Sequence, residues 1–358
     1  MTEAHVTVIA EAGVNHNGAL ERALKLVDAA AEAGADMVKF QTFRADKLAS
    51  QRAPKAAYQL RNTGASTSQV DMLRELELSE ADHEALIARC EVRGIRFLST
   101  PFEPDSLALL SDRFRLPVVK LGSGELTNSP LLLQAARTGR HLIVSTGMGT
   151  LDEVREALGV LAFGYTGAGA PSRAAFKNAF VSDAGQRALR EKVTLLHCTT
   201  EYPAPLEDVN LLAMVSLRDA FGLNVGFSDH TEGISIAVAA AALGAAVIEK
   251  HLTLDRNLPG PDHKASIEPA ELAAMIRSIR DVQKALGDGK KVPRASELAN
   301  ILVARKVLVA ARDVPEGAVI APADIEVLRA GAGLSPMAYW ELAGSHAKRS
   351  FTAGEPFV

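Results

Sequence analysis

The residues with chemistry to offer sit where short apolar runs stop. Glu11, Lys39 with Gln41, Thr100, Lys120 with Ser123, Ser145, His197, Ser228 with His230, and Glu249 with His251 each close or follow such a run. One polar residue in that position is ordinarily a helix cap. A full series of them aimed at one place builds a site instead. Lys39 and Lys120, with the hydroxyls of Thr100, Ser123, Ser145 and Ser228, suit phosphate and carboxylate oxygens. His230 and His251 are imidazoles of the kind that bind a divalent transition metal, and either Glu11 or Glu249 is able to complete the shell. Asp229, beside His230, reads either as a partner that orients the imidazole or as a turn residue. Two lysines in one site also fit a rival chemistry, a metal-independent Schiff-base aldolase in which one buried lysine attacks a carbonyl. The histidine pair has no task in that mechanism.

Such a set needs a scaffold that repeats. The apolar runs predict strands at Val6–Glu11, Met37–Gln41, Arg96–Thr100, Val118–Leu121, Leu142–Ser145, Val193–His197, Asn224–Ser228 and Val247–Lys250. Amphipathic segments alternate with them, among them Leu20–Ala33, Glu80–Arg93, Ser129–Thr138 and Val209–Phe221. Ser79 and Asn128-Ser129-Pro130 read as helix starts. Eight strand–helix repeats are the count of an α/β (β/α)8 TIM barrel, in which chemistry gathers at the C-terminal strand ends. A doubly wound open sheet is the competitor, but it needs no eighth repeat. Two insertions, Thr42–Glu77 and Phe163–Glu191, are expected either at the barrel mouth or as plain surface. The sequence divides into a barrel over residues 1–285, a linker over 286–300 and a small β-rich module over 301–358.

Bulk properties narrow the partners. A chain of 358 residues, 47% hydrophobic, buries a large core, and a net charge of −4 argues against nucleic acid. Cys90 and Cys198 make no CxxC spacing, no apolar run reaches membrane-spanning length, and the first residues lack the pattern of a signal peptide. The expectation is a soluble cytoplasmic protein. Among weaker signals, GSGEL at 122–126 is not a dinucleotide fingerprint and reads as a tight loop presenting Ser123 and Glu125. His16 is a mouth residue or a turn residue, His263 a sugar contact or an exposed side chain, and Cys198 a packed core thiol. Tyr339 and Trp340 are expected to anchor the small module by burial.

Taken in order, IAEAGVNHNG, GADMVKFQTF, FLSTPF, KLGSGELTN, STGM, HCTTEYP, GFSDHT and EKHLTLD resemble the successive signatures of the sialic acid synthase family. RKVLVAARDVPEGAVI and KRSFTAGEPF resemble its terminal antifreeze-like (SAF) domain. The resemblance implies condensation of phosphoenolpyruvate, an N-acetylated mannosamine-type aldehyde sugar and water into a nine-carbon 2-keto acid and phosphate. It implies catalytic roles for Glu11, Lys120, His230 and His251, with Glu11 beside the aldehyde and the reacting water. Lys39, Thr100, Lys120, Ser123, Ser145 and Ser228 would hold phosphoenolpyruvate, with Gln41, Glu125 and Phe102 in the same substrate-binding set. His230 and His251 match ligands of a divalent metal, usually Mn2+, with Mg2+ or Co2+ as alternatives. Tyr202 and Asp262 match the sugar end. Arg329, in VLRAGAG, matches an arginine that reaches the sugar from the other subunit of a domain-swapped homodimer. Thr200 stands where the N-acetylneuraminate enzymes carry Asn, and this version of HCTTEYP looks closer to synthases making N,N'-diacetyllegionaminate. Its hydroxyl either touches the sugar or satisfies a local turn.

Overall fold

The protein is described by a computed structural model covering residues 5–64, 68–167 and 169–358. Residues 65–67 of the first expected insertion and 168 of the second lie outside the described residues. The chain divides into two compact units, Met1–Gly287 and Asp288–Val358.

The first unit is built on eight parallel strands. They are β1 (Thr7–Gly13), β2 (Met37–Thr42), β3 (Arg96–Pro101), β4 (Val118–Leu121), β5 (His141–Ser145), β6 (Val193–His197), β7 (Asn224–Asp229) and β8 (Val247–His251). Hydrogen-bonded neighbours run β3-β2-β1-β8-β7-β6-β5-β4, and β3 lies alongside β4 to complete the ring. Helices separate the strands in sequence, so this is the expected TIM barrel. The start signals act as expected: Ser79 Oγ accepts from Asp82 N at 3.1 Å while the Asp82 carboxylate accepts from Ser79 N at 2.8 Å, and Asn128 caps Leu131 N.

Strand parity divides the side chains into two populations. Val8, Ala10, Val38, Phe40, Val119, Leu121, Val144, Leu195, Val225, Phe227 and Ile248 face outward and pack with the helices in one large core. Ile9, Met37, Leu98, Ile143, Leu196 and Val247, with Val118 against them, form a separate apolar cluster inside the barrel. On β7 the same layer holds Gly226, where a Cβ would lie 2.3 Å from the Val247 carbonyl oxygen and 2.7 Å from Leu196 Cδ2. The interior is a filled plug. Two residues further along each strand the character switches to Glu11, Lys39, Thr100, Lys120, Ser145, Cys198, Ser228 and Glu249.

The insertions have different fates. The first contains helices Ala45–Leu48, Ala57–Thr63 and Gln69–Arg74 and sits over the strand ends, tied there by Arg61 to Glu201 at 3.0 Å and Asn62 Nδ2 to the Pro261 carbonyl at 2.6 Å. The second folds into helices Arg173–Val181 and Asp183–Lys192 against helix Leu151–Thr166, with Phe163 and Phe176 rings 5.3 Å apart. Of its two expected placements it takes the surface one. It connects a helix to the next strand, and such connections lie at the end of a barrel opposite the chemistry.

In the second unit, β9 (Val307–Ala310) and β10 (Ile325–Leu328) pair antiparallel around a core of Leu308, Val314, Ile320, Ile325, Phe351 and Phe357. The last six residues of the expected linker are helical, since a helix runs from Ala295 to Ala304. Of the two expected anchors only Tyr339 packs on the core; Trp340 is 83% exposed. The helical turn 339–342 presents one side inward, and Trp340 falls about 100° away from Tyr339 on it.

Candidate active site

The polar layer and the first insertion enclose a cavity of about 500 Å3. Its floor is a charge network. Glu249 lies between the two lysines: Lys39 Nζ is 3.0 Å from Oε2, Lys120 Nζ is 3.7 Å from Oε1, and Ser228 Oγ donates to Oε1 at 2.8 Å. Lys39 is also 3.4 Å from Glu11 Oε2 and donates to Thr100 Oγ1 at 3.4 Å, and Lys120 donates to Ser145 Oγ at 2.7 Å. Gln41 Nε2 donates to Glu11 Oε1 at 3.5 Å. Glu11, Lys39, Lys120 and Glu249 are all buried.

Burial alone would raise both carboxyl groups, but their surroundings drive them apart. At Glu249 the burial effect is outweighed by Lys120 and Lys39, which hold the carboxyl well below the ordinary range. At Glu11 burial dominates, Lys39 offsets it only in part and Glu249 adds repulsion, so the carboxyl is pushed well up. Glu11 therefore keeps a proton where Glu249 is ionised. Burial also lowers Lys120, with Glu249 a partial offset, whereas at Lys39 the two carboxylates overcome burial and raise it.

Above the floor stand the imidazoles. The rings of His230 and His251 are 5.5 Å apart between centroids, and Tyr202 lies 4.2 Å and 5.4 Å from them. Tyr58, from the first insertion, packs 5.0 Å from Tyr202. Burial lowers His230 to about 4 and takes His251 well below its usual value, so both rings are neutral near pH 7. His230 Nδ1 is 2.6 Å from the Thr199 carbonyl; as the donor there it leaves Nε2 with a lone pair. His251 Nδ1 is buried with no hydrogen-bond partner among the described residues. Neutral, oriented imidazoles and an orphaned ring nitrogen fit a divalent metal. Among the described residues no cluster of three or more His, Cys, Asp or Glu is placed to hold an ion, so water or substrate oxygen would fill the remaining positions.

Gln41, Thr100, Phe102, Ser123, Ser145, Thr200, Tyr202, Ser228 and Asp262 line the cavity with the groups above. Burial raises Asp262 to about 6. Glu125 is not in the lining: it accepts from Asn128 Nδ2 at 2.6 Å, next to the helix start that Asn128 caps. Arg329 is exposed in the second unit. His197, counted among the strand ends, turns outward to the Val209 carbonyl at 2.7 Å, and Cys198 faces the cavity in its place. His263 is enclosed, bonding Thr253 Oγ1 at 2.7 Å and Asn17 Oδ1 at 3.1 Å, and His16 is a buried turn residue that accepts from Gly18 N. Tyr58, Gln59 and the insertion's Leu48, Met72 and Leu73 also line the cavity and had no sequence signal, since irregular loops carry no period.

The family description "NeuB family" matches residues 26–291, and "SAF domain" matches residues 305–358. The chain belongs to the NeuB family. N,N'-diacetyllegionaminic acid synthase of Campylobacter jejuni is 47% identical to this NeuB-family chain over 97% of both chains. The protein of the same name from Legionella pneumophila is 43% identical over 97% of this chain and 92% of its own. A crystal structure of N-acetylneuraminic acid (sialic acid) synthetase from Leptospira borgpetersenii, in complex with citrate, superposes with a TM-score of 0.67 at 31% identity, covering 84% of this chain and 91% of that one.

Proposed function

We propose that this chain condenses phosphoenolpyruvate with the open-chain aldehyde of an N-acetylated mannosamine-type sugar and water, releasing phosphate and a nine-carbon 2-keto acid. The sugar we assign is the 6-deoxy diacetamido compound leading to N,N'-diacetyllegionaminate, in preference to N-acetylmannosamine, which leads to N-acetylneuraminate. Support for that choice comes from the two relatives named above and from Thr200 on the cavity wall.

The observation that carries the reading is the pair of buried lysines sharing Glu249 on a hydroxyl-lined floor, opposite two neutral imidazoles. Lys39 and Lys120 face the phosphate and carboxylate of the donor and fix the enol carbon toward the aldehyde, largely an orientation effect. Thr100, Ser123, Ser145 and Ser228 supply hydroxyl donors to the same oxygens. Glu11 carries the proton inventory at the reacting end: protonated at rest, it gives a hydrogen bond to the incoming aldehyde oxygen, and once ionised it orients the water that captures C2. His230 and His251 would hold a divalent cation, Mn2+ in our assignment, which when bound would supply Lewis-acid polarisation of the aldehyde. Tyr202, Tyr58 and Asp262 stand at the sugar end. The two free cysteines suit a reducing, cytoplasmic setting. We assign a domain-swapped homodimer in which Arg329 of one copy serves the sugar end of the other.

One observation favours a second reading. The lowered Lys120 is suited to Schiff-base chemistry, as in a metal-independent aldolase on related sugars. The deciding experiment measures phosphate release from phosphoenolpyruvate with each sugar, in chelator and after Mn2+ is restored. Release only with metal present, faster with the diacetamido sugar, is expected. No phosphate release with either sugar, together with pyruvate-dependent condensation that survives excess chelator and a borohydride-trapped pyruvate adduct on Lys120, would establish the aldolase instead.

A further inference from the structure

Asp229 and Lys250 are directly opposite each other in the β7–β8 register, and both side chains are completely enclosed. They occupy the outward parity of their strands, beside Phe227 and Ile248, which belong to the apolar core under the helices. Burying two charges there is unfavourable, and an apolar pair of similar volume ordinarily holds such a seam as well or better. The pair therefore calls for a purpose other than stability, and the chemistry of the cavity floor does not use it.

Its hydrogen bonds point to that purpose. Lys250 Nζ donates to Asp229 Oδ2 at 2.9 Å and to the Thr231 carbonyl at 2.5 Å. Asp229 Oδ1 accepts from Thr231 N at 2.9 Å and from Thr231 Oγ1 at 2.8 Å. The residues on both sides of His230 are thus fastened to the residue that immediately precedes His251. Neither imidazole is able to shift along its strand without breaking this bracket. Outer contacts close the remaining freedom: the His230 carbonyl accepts from Ala204 N at 2.8 Å, and the His251 carbonyl from Ile267 N at 2.9 Å.

We infer that the Asp229–Lys250 bracket is a positioning device that sets the separation of His230 and His251, and through it the affinity of the site for a divalent cation. Neither residue lines the cavity. The inference rests on the reading of the two histidines as a cation site, and the test separates the two.

Full-length protein stripped of metal is titrated with Mn2+, following free Mn2+ by electron paramagnetic resonance, for the wild type, H251A, and D229N/K250M. In the double variant the asparagine keeps an acceptor for Thr231 and the methionine keeps much of the lysine's volume, so thermal unfolding should stay near the wild-type value. This variant is expected to bind Mn2+ 10- to 100-fold more weakly, the usual scale for residues that orient metal ligands. T231V, which removes one strut and leaves the ion pair, should show a smaller loss and decides the matter if the double variant does not fold. Wild-type Mn2+ binding that H251A abolishes and the folded bracket variants leave within threefold overturns the bracket inference alone. No binding by the wild type overturns the cation reading and the inference with it.

Discussion

Replacing Glu249 by Gln removes the one charge that lies between Lys39 and Lys120. Both ammonium groups are about as enclosed as the carboxylate, at 5% and 2% side-chain exposure against 3%. At an effective dielectric of about 20, an opposite charge at the observed 3.0 Å is worth roughly 5 kcal/mol to Lys39, and at 3.7 Å roughly 4 kcal/mol to Lys120. That attraction is set against the cost of keeping the lysines out of water, which persists in the variant. Lys120, already lowered by burial, then sheds its proton and relieves part of the strain. Deleting one partner of a buried ion pair has a net cost of about 3–5 kcal/mol, and E249Q should lose that much in the barrel's unfolding transition. Urea denaturation followed by circular dichroism near neutral pH measures it. Inorganic phosphate should recover part of the loss in E249Q and much less in the wild type, because an anion can stand in for the missing carboxylate. A loss under about 1 kcal/mol, indifferent to phosphate, would refute the account of Glu249 as the counter-ion of both lysines.

Three further outcomes follow from particular residues. His16 is buried and lowered from 6.5 to about 4, so on acidification the unfolded chain takes up a proton before the folded one does. Stability should therefore fall as pH drops from about 6.5 to about 4, by roughly 3 kcal/mol for this residue at 1.36 kcal/mol per pH unit, and urea melts across that window should be flatter for H16N. A Cβ at Gly147 would stand 2.5 Å from Thr200 Oγ1, 2.8 Å from Ser123 Oγ and 2.9 Å from Cys198 Sγ. G147A should raise the KM for phosphoenolpyruvate by about tenfold or more in steady-state phosphate release, and an unchanged KM would remove Ser123 from the donor's cradle. R329A should raise the KM for the sugar far more than that for phosphoenolpyruvate; equal effects would count against its assignment to the sugar end.

Much of the site was legible because a strand repeats every two residues. Ile9, Met37, Leu98, Val118, Ile143 and Val247 are apolar, and Glu11, Lys39, Thr100, Lys120, Ser145 and Glu249 follow each of them at that step, so one parity carries both plug and floor. Where the strand end falls one residue out of phase, the assignment turns inside out: His197 faces the helices and Cys198 the cavity. Glu125 looked available in GSGEL, but the adjoining Asn128 claims it, a competition that composition does not reveal. Tyr58 was invisible because its position depends on where a short helix lands across the mouth, held by Arg61 and Asn62 acting on residues far away in the chain. Trp340 misled for the opposite reason. A large aromatic suggests burial, yet on a single helical turn the neighbour of a packed residue looks outward.

The apolar plug beneath the lysines makes the barrel a blind shaft. With the plug closing the far end, whatever rests on the bottom enters and leaves from the strand-end side, whose lining includes Tyr58 and Tyr202, so a molecule arriving second locks in the first. On the proposed reading the small anionic donor, drawn to the deepest charges, would occupy the bottom and the larger sugar the space above it. Occupancy then has a sequence imposed by shape: a non-reactive mimic of the sugar should be uncompetitive toward phosphoenolpyruvate, and a competitive pattern would mean a second way in.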